Sequence, residues 1–216
     1  MKFKLVVFDL DGTLLDTIED LGVAVNHALS LRSLPLHDAA QYRLMVGNGV
    51  RKLVQRALPE ELSGDGAFVD SMLSDFMDYY CSHIDIHTRP YPGMEALVSR
   101  LDASGVRLAV ASNKFQEGAE RLVRGFFPGI PFVRVMGAAE GLPLKPDPAV
   151  VLDIVSASGL TPGDTVMVGD SGTDVDTAKA AGVKSIGVAW GFRPDAAARA
   201  DMYACDAAQL EGYLLG

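Results

Sequence analysis

The chain has 216 residues, of which 49% are hydrophobic and 22% are charged, and its formal net charge is −9. This composition is typical of a soluble globular protein, and the length allows one large domain or one domain with an insertion. An acidic chain gains nothing from counterion release on DNA or RNA, and its Lys and Arg residues form no basic stripe. We therefore expect no nucleic-acid partner.

The number and spacing of the cysteines and the lack of long apolar runs indicate the cellular compartment of the protein. Cys81 and Cys205 are the only cysteines, and their wide separation predicts two buried thiols in a reducing compartment. The first apolar run is interrupted by Asp9 and Asp11, unlike a signal peptide, and no segment approaches the roughly 20 apolar residues of a membrane span. We expect a cytoplasmic protein without membrane contact, present as a monomer or homodimer.

The first predicted element is a short strand that ends in two carboxylates. Residues 3–8 are mostly apolar and rich in β-branched and aromatic side chains, which favours a buried strand of a parallel sheet. Asp9 and Asp11 follow, and residues i and i+2 of an extended backbone point to the same side. Because ligands of open α/β sheets bind at the carboxyl ends of the strands, this pair is a candidate site. Asp16 and Glu19 have capping-box spacing, so Asp16 is expected to cap the next helix.

The segment after this strand is predicted to be helical. Apolar residues recur at helical spacing from residue 18 to about residue 32. A second apolar stripe is formed by Phe68, Met72, Phe76, Tyr79 and Tyr80. No convincing strand lies between residue 35 and the sequence TRPYPG at residues 88–93, whose prolines restrict the backbone and cannot extend a helix. We predict a small helical domain over residues 17–88.

From residue 94 onward, the predicted helices and strands alternate. Strands are expected at residues 107–111, 132–136, 165–168, 184–189 and 202–205, and one of the intervening helices is expected to open at Lys145. This alternation is typical of a parallel sheet with right-handed crossovers and helices on both faces. We predict an α/β fold with a doubly wound core of residues 1–16 and 89–216. The helical domain is inserted over the carboxyl end of the first strand, where it can act as a lid.

Polar side chains follow three of the predicted strands. They are Asp9 and Asp11, then Ser112 and Asn113, then Asp170 and Asp174, with Lys145 opening a helix between the last two strands. All strand ends of a parallel sheet lie at one edge, so these residues can meet in one pocket. Several carboxylates around one point repel one another unless a cation joins them, and such ligands suit Mg²⁺. A metal, a lysine and a hydroxyl are suited to a phosphoryl group, and a neighbouring carboxylate can act as nucleophile.

The same segments resemble the four ordered motifs of the haloacid dehalogenase-like hydrolases. The matching segments are DLDGTL at residues 9–14, the strand end at Ser112, Lys145, and GDSGTD at residues 169–174. The resemblance covers the whole core and implies a Rossmann-like sheet with a helical cap of the first type. It further implies that Asp9 is the nucleophile and that Asp11 is the general acid and base.

The resemblance also implies how ligands are held. Mg²⁺ is implied to bind the side chain of Asp9, the backbone carbonyl of Asp11 and the side chain of Asp170, with Asp174 assisting directly or through water. Ser112 and the backbone N–H of Asn113 are implied to hold phosphoryl oxygens, and Lys145 is implied to neutralise negative charge. A carboxylate at position 11 indicates phosphate chemistry, because the dehalogenase branch of the family lacks one there.

The predicted cap indicates a substrate class. VGNGVRKL at residues 46–53 and TRPYPG at residues 88–93 are similar to phosphoglycolate phosphatases, which implies a small phosphorylated metabolite, with 2-phosphoglycolate as the first candidate. Gly47, Asn48 and Arg51 are candidate substrate-binding residues, since N–H groups at a helix N-terminus can bind a carboxylate. The alternative is a simple turn in which Asn48 caps the helix and Arg51 is solvated.

Two other functions are compatible with these motifs. A phosphomutase of the β-phosphoglucomutase kind shares the core motifs and returns the phosphoryl group to a sugar. A non-catalytic phosphate-binding regulatory module could also use this fold, although intact Asp9, Asp11, Lys145 and Asp170 count against it. The sequence leaves the roles of Lys114 and Arg193 open.

Overall fold

The computed structural model describes residues 3–216 and confirms the α/β class. In chain order the strands are β1 (Leu5–Phe8), β2 (Leu15–Asp16), β3 (Arg89–Pro90), β4 (Arg107–Phe115), β5 (Val135–Ala138), β6 (Thr165–Gly169), β7 (Lys184–Val188) and β8 (Met202–Ala204). Six of them form a parallel sheet in the order β5–β4–β1–β6–β7–β8, whereas β2 and β3 form a separate antiparallel pair. The chain thus winds outward in both directions from β1, as in a Rossmann-like fold.

Helices cover both faces of the large sheet. In chain order they are α1 (Ile18–Ser30), α2 (Ala39–Met45), α3 (Val50–Ala57), α4 (Glu60–Ser63), α5 (Gly66–His83), α6 (Met94–Ala103), α7 (Gln116–Phe126), α8 (Ala149–Ser158), α9 (Gly172–Ala181), α10 (Pro194–Ala197) and α11 (Ala207–Leu215), with a 3₁₀ turn at Pro162–Asp164. Within residues 3–216, none of these helices has the length and apolar character needed to cross a membrane.

The central strand β1 is buried on both of its faces. All four of its residues are apolar and buried. Val6 and Phe8 pack into the hydrophobic core on one face of the sheet, and Leu5 and Val7 pack into the core on the other face. A strand without a polar position needs helices on both sides. The alternation along β1 therefore explains why this strand lies at the centre of a three-layered protein.

Helices α1–α5 lie between β2 and β3 and are called here the helical insert. Helix α5 turns Val69, Met72, Phe76 and Tyr80 inward, and its main helical partner is α1. These buried positions include three members of the apolar stripe seen in the sequence, because residues three and four apart share one face of a helix. The helical insert therefore has apolar packing of its own.

The helical insert joins the rest of the protein through a neck formed by β2 and β3, which run side by side. Beside this neck, the buried Asp20 carboxylate accepts hydrogen bonds from the N–H of His87 at 2.9 Å and from the N–H and the hydroxyl of Thr88, both at 2.8 Å. The predicted boundaries after residues 16 and 88 fall at the neck. The division into a core (1–16 and 89–216) and a separate cap domain (17–88) stays a prediction.

The start of α1 differs from the prediction. Asp16 and Glu19 do not form a capping box, because the N-cap residue is Thr17, which makes no side-chain capping bond. The Asp16 carboxylate instead accepts a hydrogen bond from the N–H of Ile18 at 3.3 Å. Since Asp16 is already paired in β2, it lies one residue too early to serve as the cap.

Three element boundaries also differ from the prediction, and the first is the strand expected at residues 132–136, which is β5 at Val135–Ala138. Helix α8 begins at Ala149 rather than at Lys145, because the residue before a proline is biased away from helical backbone and two prolines follow Lys145 in close succession. Strand β4 continues to Phe115 instead of ending at residue 111, so Ser112 and its two neighbours belong to the strand itself.

The two cysteines are exposed and unpaired, so the prediction that both are buried is wrong. Cys81 follows the buried Tyr80 on α5, and adjacent residues of a helix point about 100° apart. Cys205 comes directly after β8, where the chain turns toward α11. Neither thiol therefore contributes to the core.

Candidate active site

The carboxyl ends of β1, β4 and β6 open into a cavity that the helical insert covers. The polar residues predicted at the strand ends all line this cavity, namely Asp9, Asp11, Ser112, Asn113, Lys145, Asp170 and Asp174. The helical insert contributes Leu21, Val46, Gly47, Gly49, Val50 and Leu53. The structure thus brings together residues from distant parts of the chain, as expected for a parallel sheet.

Asp9 is buried directly after β1, with one carboxylate oxygen held in place. Its Oδ1 accepts a hydrogen bond from the N–H of Leu10 at 2.7 Å and lies 2.9 Å from the ammonium nitrogen of Lys145. Within residues 3–216, no donor reaches the second oxygen, Oδ2. One oxygen of Asp9 is therefore fixed, and the other is available to a ligand in the cavity.

Lys145 is buried and joins two carboxylates. Its Nζ lies 2.9 Å from Oδ1 of Asp9 and 2.7 Å from Oδ1 of Asp174, and it donates to the carbonyl of Ala111 at 2.8 Å. Burial alone lowers the pKa of this ammonium group, but the charges of Asp174 and Asp9 outweigh burial and raise it above its usual range. Asn113 fixes the lysine backbone through hydrogen bonds in both directions. The ammonium group is therefore charged and rigidly placed.

Asp170 and Asp174 are held by the residues that follow β6 and β7. Asp170 Oδ2 accepts a hydrogen bond from the N–H of Phe192 at 2.6 Å. Asp174 Oδ2 accepts hydrogen bonds from the hydroxyl of Ser171 at 2.6 Å and from its N–H at 3.1 Å, which makes a capping box at the start of α9. Oxygens of Asp9, Asp170 and Asp174 lie within 4.8 Å of one another. Three buried carboxylates thus converge on one point.

This acidic cluster has the properties of a divalent-cation site. Burial, followed by the charge of Asp174, raises the pKa of Asp9 to about 7, even though Lys145 opposes this shift. Burial, followed by the charges of Asp174 and Asp9, raises the pKa of Asp170 well above its ordinary value. Four cavity carboxylates, counting Asp11, are offset by three cavity cations, Lys114, Lys145 and Arg193, which leaves one negative charge uncompensated when all of these groups are ionised. Hard carboxylate oxygens and an uncompensated negative charge fit Mg²⁺.

Asp11 is paired with a lysine whose role the sequence left open. Lys114 is buried, and its Nζ lies 3.1 Å from Oδ1 of Asp11 and 2.7 Å from the hydroxyl of Tyr80 on α5. Burial lowers the pKa of Lys114, but Asp11 and Tyr80 together raise it above its usual range. The sequence singles out Lys114 only by its position two residues after Ser112. Its partner Tyr80 lies 34 residues earlier in the chain, so the contact between them could not be predicted.

Two glycines make room for Asp170. A Cβ atom on Gly191 would lie 2.1 Å from Cβ of Asp170 and 2.5 Å from the carbonyl oxygen of Gly12. A Cβ atom on Gly12, which has φ of 87°, would lie 2.4 Å from Oδ2 of Asp170. Real Cβ atoms do not approach other atoms so closely. The backbone at both glycines therefore packs directly against the carboxylate that completes the acidic cluster.

Replacing Gly191 by Ala is expected to displace Asp170 and to lower the free energy of unfolding by about 1–3 kcal/mol, the usual cost of overpacking. Thermal and denaturant unfolding measure this loss, and isothermal calorimetry measures the accompanying loss of Mg²⁺ affinity. Gly64→Ala is the matched control, because a Cβ atom there meets open space and φ is −87°. Gly191→Ala with the stability and Mg²⁺ affinity of the Gly64 variant would contradict the packing argument.

The three predicted substrate-binding residues of the helical insert lie in different surroundings. Gly47 lines the cavity, next to the N-terminus of α3. The side chain of Asn48 accepts a hydrogen bond from Nη2 of Arg56 at 2.8 Å, and Gly49 rather than Asn48 is the N-cap of α3. Arg51 is half exposed and forms an ion pair with Asp70 on α5. Neither Asn48 nor Arg51 is among the described residues that line the cavity.

The fold and the cavity together define an α/β protein that has a buried carboxylate directly after its first strand and a helical insert over its strand ends. Comparison with known families identifies it further, since the model of the haloacid dehalogenase-like hydrolases matches residues 6–188. The chain belongs to this family. The matched range includes the segments at the three strand ends and Lys145.

Individual relatives are similar over most of the chain. A phosphoglycolate phosphatase of Mesorhizobium japonicum is 36% identical over 193 residues, which are 89% of this chain and 85% of the relative. A phosphoglycolate phosphatase of Pseudomonas putida is 36% identical over 192 residues, which are 88% of this chain and 70% of the relative. A crystal structure from Lactobacillus delbrueckii subsp. bulgaricus, provisionally described as a phosphoglycolate phosphatase, superposes with a TM-score of 0.92 at 32% identity and full coverage of both chains.

Proposed function

We propose that this protein is a Mg²⁺-dependent phosphatase that hydrolyses a small phosphomonoester, with 2-phosphoglycolate as the first candidate. The observation that carries the proposal is the placement of Asp9. One of its oxygens is held by Lys145, and Asp9 lines a cavity that also contains Ser112, Asp170 and Asp174. The names of the relatives from Mesorhizobium and Pseudomonas support 2-phosphoglycolate over other phosphomonoesters.

In the proposed first step, Oδ2 of Asp9 attacks the phosphorus atom of the substrate. A bond forms between Asp9 and phosphorus, and the bond from phosphorus to the leaving oxygen breaks. Asp11 donates a proton to that oxygen, so the product leaves as an alcohol. Lys145 holds Asp9 and offsets negative charge, while Ser112 and the N–H of Asn113 contact phosphoryl oxygens. Asp9, the backbone carbonyl of Asp11 and Asp170 would hold Mg²⁺, which would supply positive charge to the phosphoryl group.

In the proposed second step, water hydrolyses the aspartyl-phosphate. Asp11, now ionised, removes a proton from the water, whose oxygen bonds to phosphorus as the bond to Asp9 breaks. Phosphate leaves, and both carboxylates return to their starting states. The pairing of Asp11 with Lys114 supports this role, because it keeps the carboxylate beside Asp9 in one orientation. Lys114 acts through Asp11 and is therefore a positioning residue.

The helical insert supports a small acidic substrate. Gly49 and Val50 line the cavity at the N-terminus of α3, where the first N–H groups have no partners within the helix. We propose that these groups bind the carboxylate of the substrate, since a helix N-terminus favours negative charge. The apolar side chains of Leu21, Val46 and Leu53 also line the cavity and offer few polar groups to any other part of the substrate.

The proposed setting of the reaction is the cytoplasm. Two free thiols agree with a reducing compartment, although they are exposed rather than buried as predicted. The partner is proposed to be a small phosphorylated metabolite. The oligomeric state, monomer or homodimer, stays a prediction, and light scattering tests it by measuring the molecular mass in solution.

A screen of phosphorylated metabolites tests the function. Purified protein is incubated with each compound and with an aryl phosphate, in Mg²⁺ or in excess EDTA, and released phosphate is measured. We expect 2-phosphoglycolate to give the highest kcat/KM and EDTA to lower the rate at least a hundredfold. An isomeric product without stoichiometric phosphate would instead identify a phosphomutase. Phosphate binding without turnover of any compound would identify a regulatory module.

A further inference from the structure

The segment of residues 190–193 follows β7 and contacts the groups around the acidic cluster. The indole N–H of Trp190 donates to the carbonyl of Thr13 at 3.0 Å, in the loop after Asp9. The N–H of Phe192 donates to Oδ2 of Asp170 at 2.6 Å. This short segment therefore fixes Asp170 and also contacts the loop that carries the proposed nucleophile.

Arg193 extends from this segment to the helical insert. Its Nη2 donates to the carbonyls of Leu44 at 2.6 Å and Val46 at 2.9 Å, at the C-terminus of α2. The last carbonyls of a helix have no partners within it, and a positive charge at that end is favourable. Arg193 also lines the cavity, but within residues 3–216 its hydrogen bonds go to backbone carbonyls and no carboxylate forms an ion pair with it.

A second contact links the same two parts of the protein. The guanidinium group of Arg43 on α2 lies 5.7 Å from the ring centroid of Phe192, within the range of a cation–π interaction. The chain then continues into residues 46–49, called here the glycine loop. Gly47 and Gly49 both have positive φ, at 105° and 82°. Because glycine backbones are permissive, contacts from outside the loop are needed to hold it in one conformation.

We propose that Arg193 is a positioning residue that ties the glycine loop to the segment holding Asp170. These hydrogen bonds hold the helical insert in one orientation over the cavity, relative to the acidic cluster. Without the hydrogen bonds of Arg193, the glycine loop and residues 190–193 move independently. The effect on turnover rests on the proposed function, whereas the mechanical link does not, so the two can be tested separately.

Arg56 provides a matched control for Arg193. It donates from Nη1 to the carbonyl of Met45 at 2.6 Å and from Nη2 to Asn48 at 2.8 Å. It therefore binds the same end of α2, but it comes from α3 within the helical insert. Removing Arg56 is expected to loosen the glycine loop while Arg193 keeps its hydrogen bonds to the carbonyls of Leu44 and Val46.

Hydrogen exchange of metal-free protein, read by mass spectrometry, tests the link. Arg193→Ala is expected to raise exchange roughly tenfold in two peptides, one covering residues 44–49 and one covering residues 190–193, because two charge-assisted hydrogen bonds are lost. Arg56→Ala is expected to raise exchange only in residues 44–49. With the best substrate, Arg193→Ala is expected to raise KM and lower kcat/KM at least tenfold, and Arg193→Lys is expected to restore part of this loss.

The result that overturns the proposal is wild-type exchange at residues 190–193 in Arg193→Ala, or equal behaviour of both Ala variants in both peptides. Arg193 would then only cap α2. Circular dichroism checks that each variant folds. If Arg193→Ala does not fold, hydrogen exchange in the same two peptides of Arg193→Lys and Arg193→Gln tests the proposal. Failure of the wild-type protein to turn over any phosphate would refute the proposed function but would leave the exchange result interpretable.

Discussion

Replacing Asp9 by Asn is expected to abolish turnover, with kcat reduced by at least about 10⁴. The amide nitrogen and oxygen of Asn do not form the aspartyl-phosphate, and no other carboxylate takes the place of Asp9 directly after β1. The variant is expected to fold, because Asn has nearly the same shape and accepts the N–H of Leu10. Phosphate release at saturating substrate measures the rate, and mass spectrometry of quenched enzyme detects the covalent phosphoryl group, which we expect only in the wild type.

Asp153→Asn is the control for this substitution. Asp153 lies exposed on α8, so the same loss of one carboxylate should leave the rate unchanged. A variant at Asp9 that retains even a tenth of the wild-type kcat would exclude Asp9 as the nucleophile. A wild-type rate in the Asp153 variant shows that lower net negative charge is not the cause of the loss.

Replacing Lys145 by Met is expected to weaken both stability and catalysis. Met has a similar length but no charge, so Asp9 and Asp174 remain buried without their common cation. Leaving buried charges unpaired costs about 3–5 kcal/mol of unfolding free energy. Loss of a fixed positive charge beside a transferring phosphoryl group is expected to lower kcat by about 10²–10³. Urea unfolding with and without Mg²⁺, together with phosphate release, measures the two effects.

The control for Lys145 is Lys184→Met. Lys184 forms an ion pair of similar length with Asp201, 2.7 Å, but its side chain is 62% exposed. An exposed pair contributes at most about 1 kcal/mol, so this variant should resemble the wild type. Equal losses of stability in the two variants would mean that burial of Lys145 has no energetic consequence. We also expect added Mg²⁺ to restore part of the stability lost in Lys145→Met, because it compensates the same carboxylates.

The core of the site could be predicted from the sequence because backbone order determines it. Asp9, Asp170 and Ser112 follow buried apolar runs, and parallel strands bring such positions to one edge whatever the intervening chain does. Lys145 followed from its place before a crossover helix. These predictions needed only the pattern of apolar residues that marks each strand and the parallel direction of the strands in the sheet.

Contacts between the core and the helical insert could not be predicted in this way. The pairing of Lys114 with Tyr80 and the contact of Arg193 with Val46 depend on how the helical insert is oriented, and no periodic pattern encodes that orientation. The ion pair of Arg51 with Asp70 likewise depends on how two helices of the insert pack together, so it could not be predicted either. Side-chain partners on irregular segments follow from tertiary packing rather than from local sequence.

The neck between β2 and β3 has a consequence for how related proteins can differ. The chain departs and returns through adjacent two-residue strands, so the sheet register is independent of how many residues lie between them. Helices can be lengthened, deleted or grafted from another protein at this junction while Asp9, Lys145 and Asp170 keep their places. Substrate preference can therefore diverge through exchange of the inserted helices, with the chemical machinery inherited unchanged.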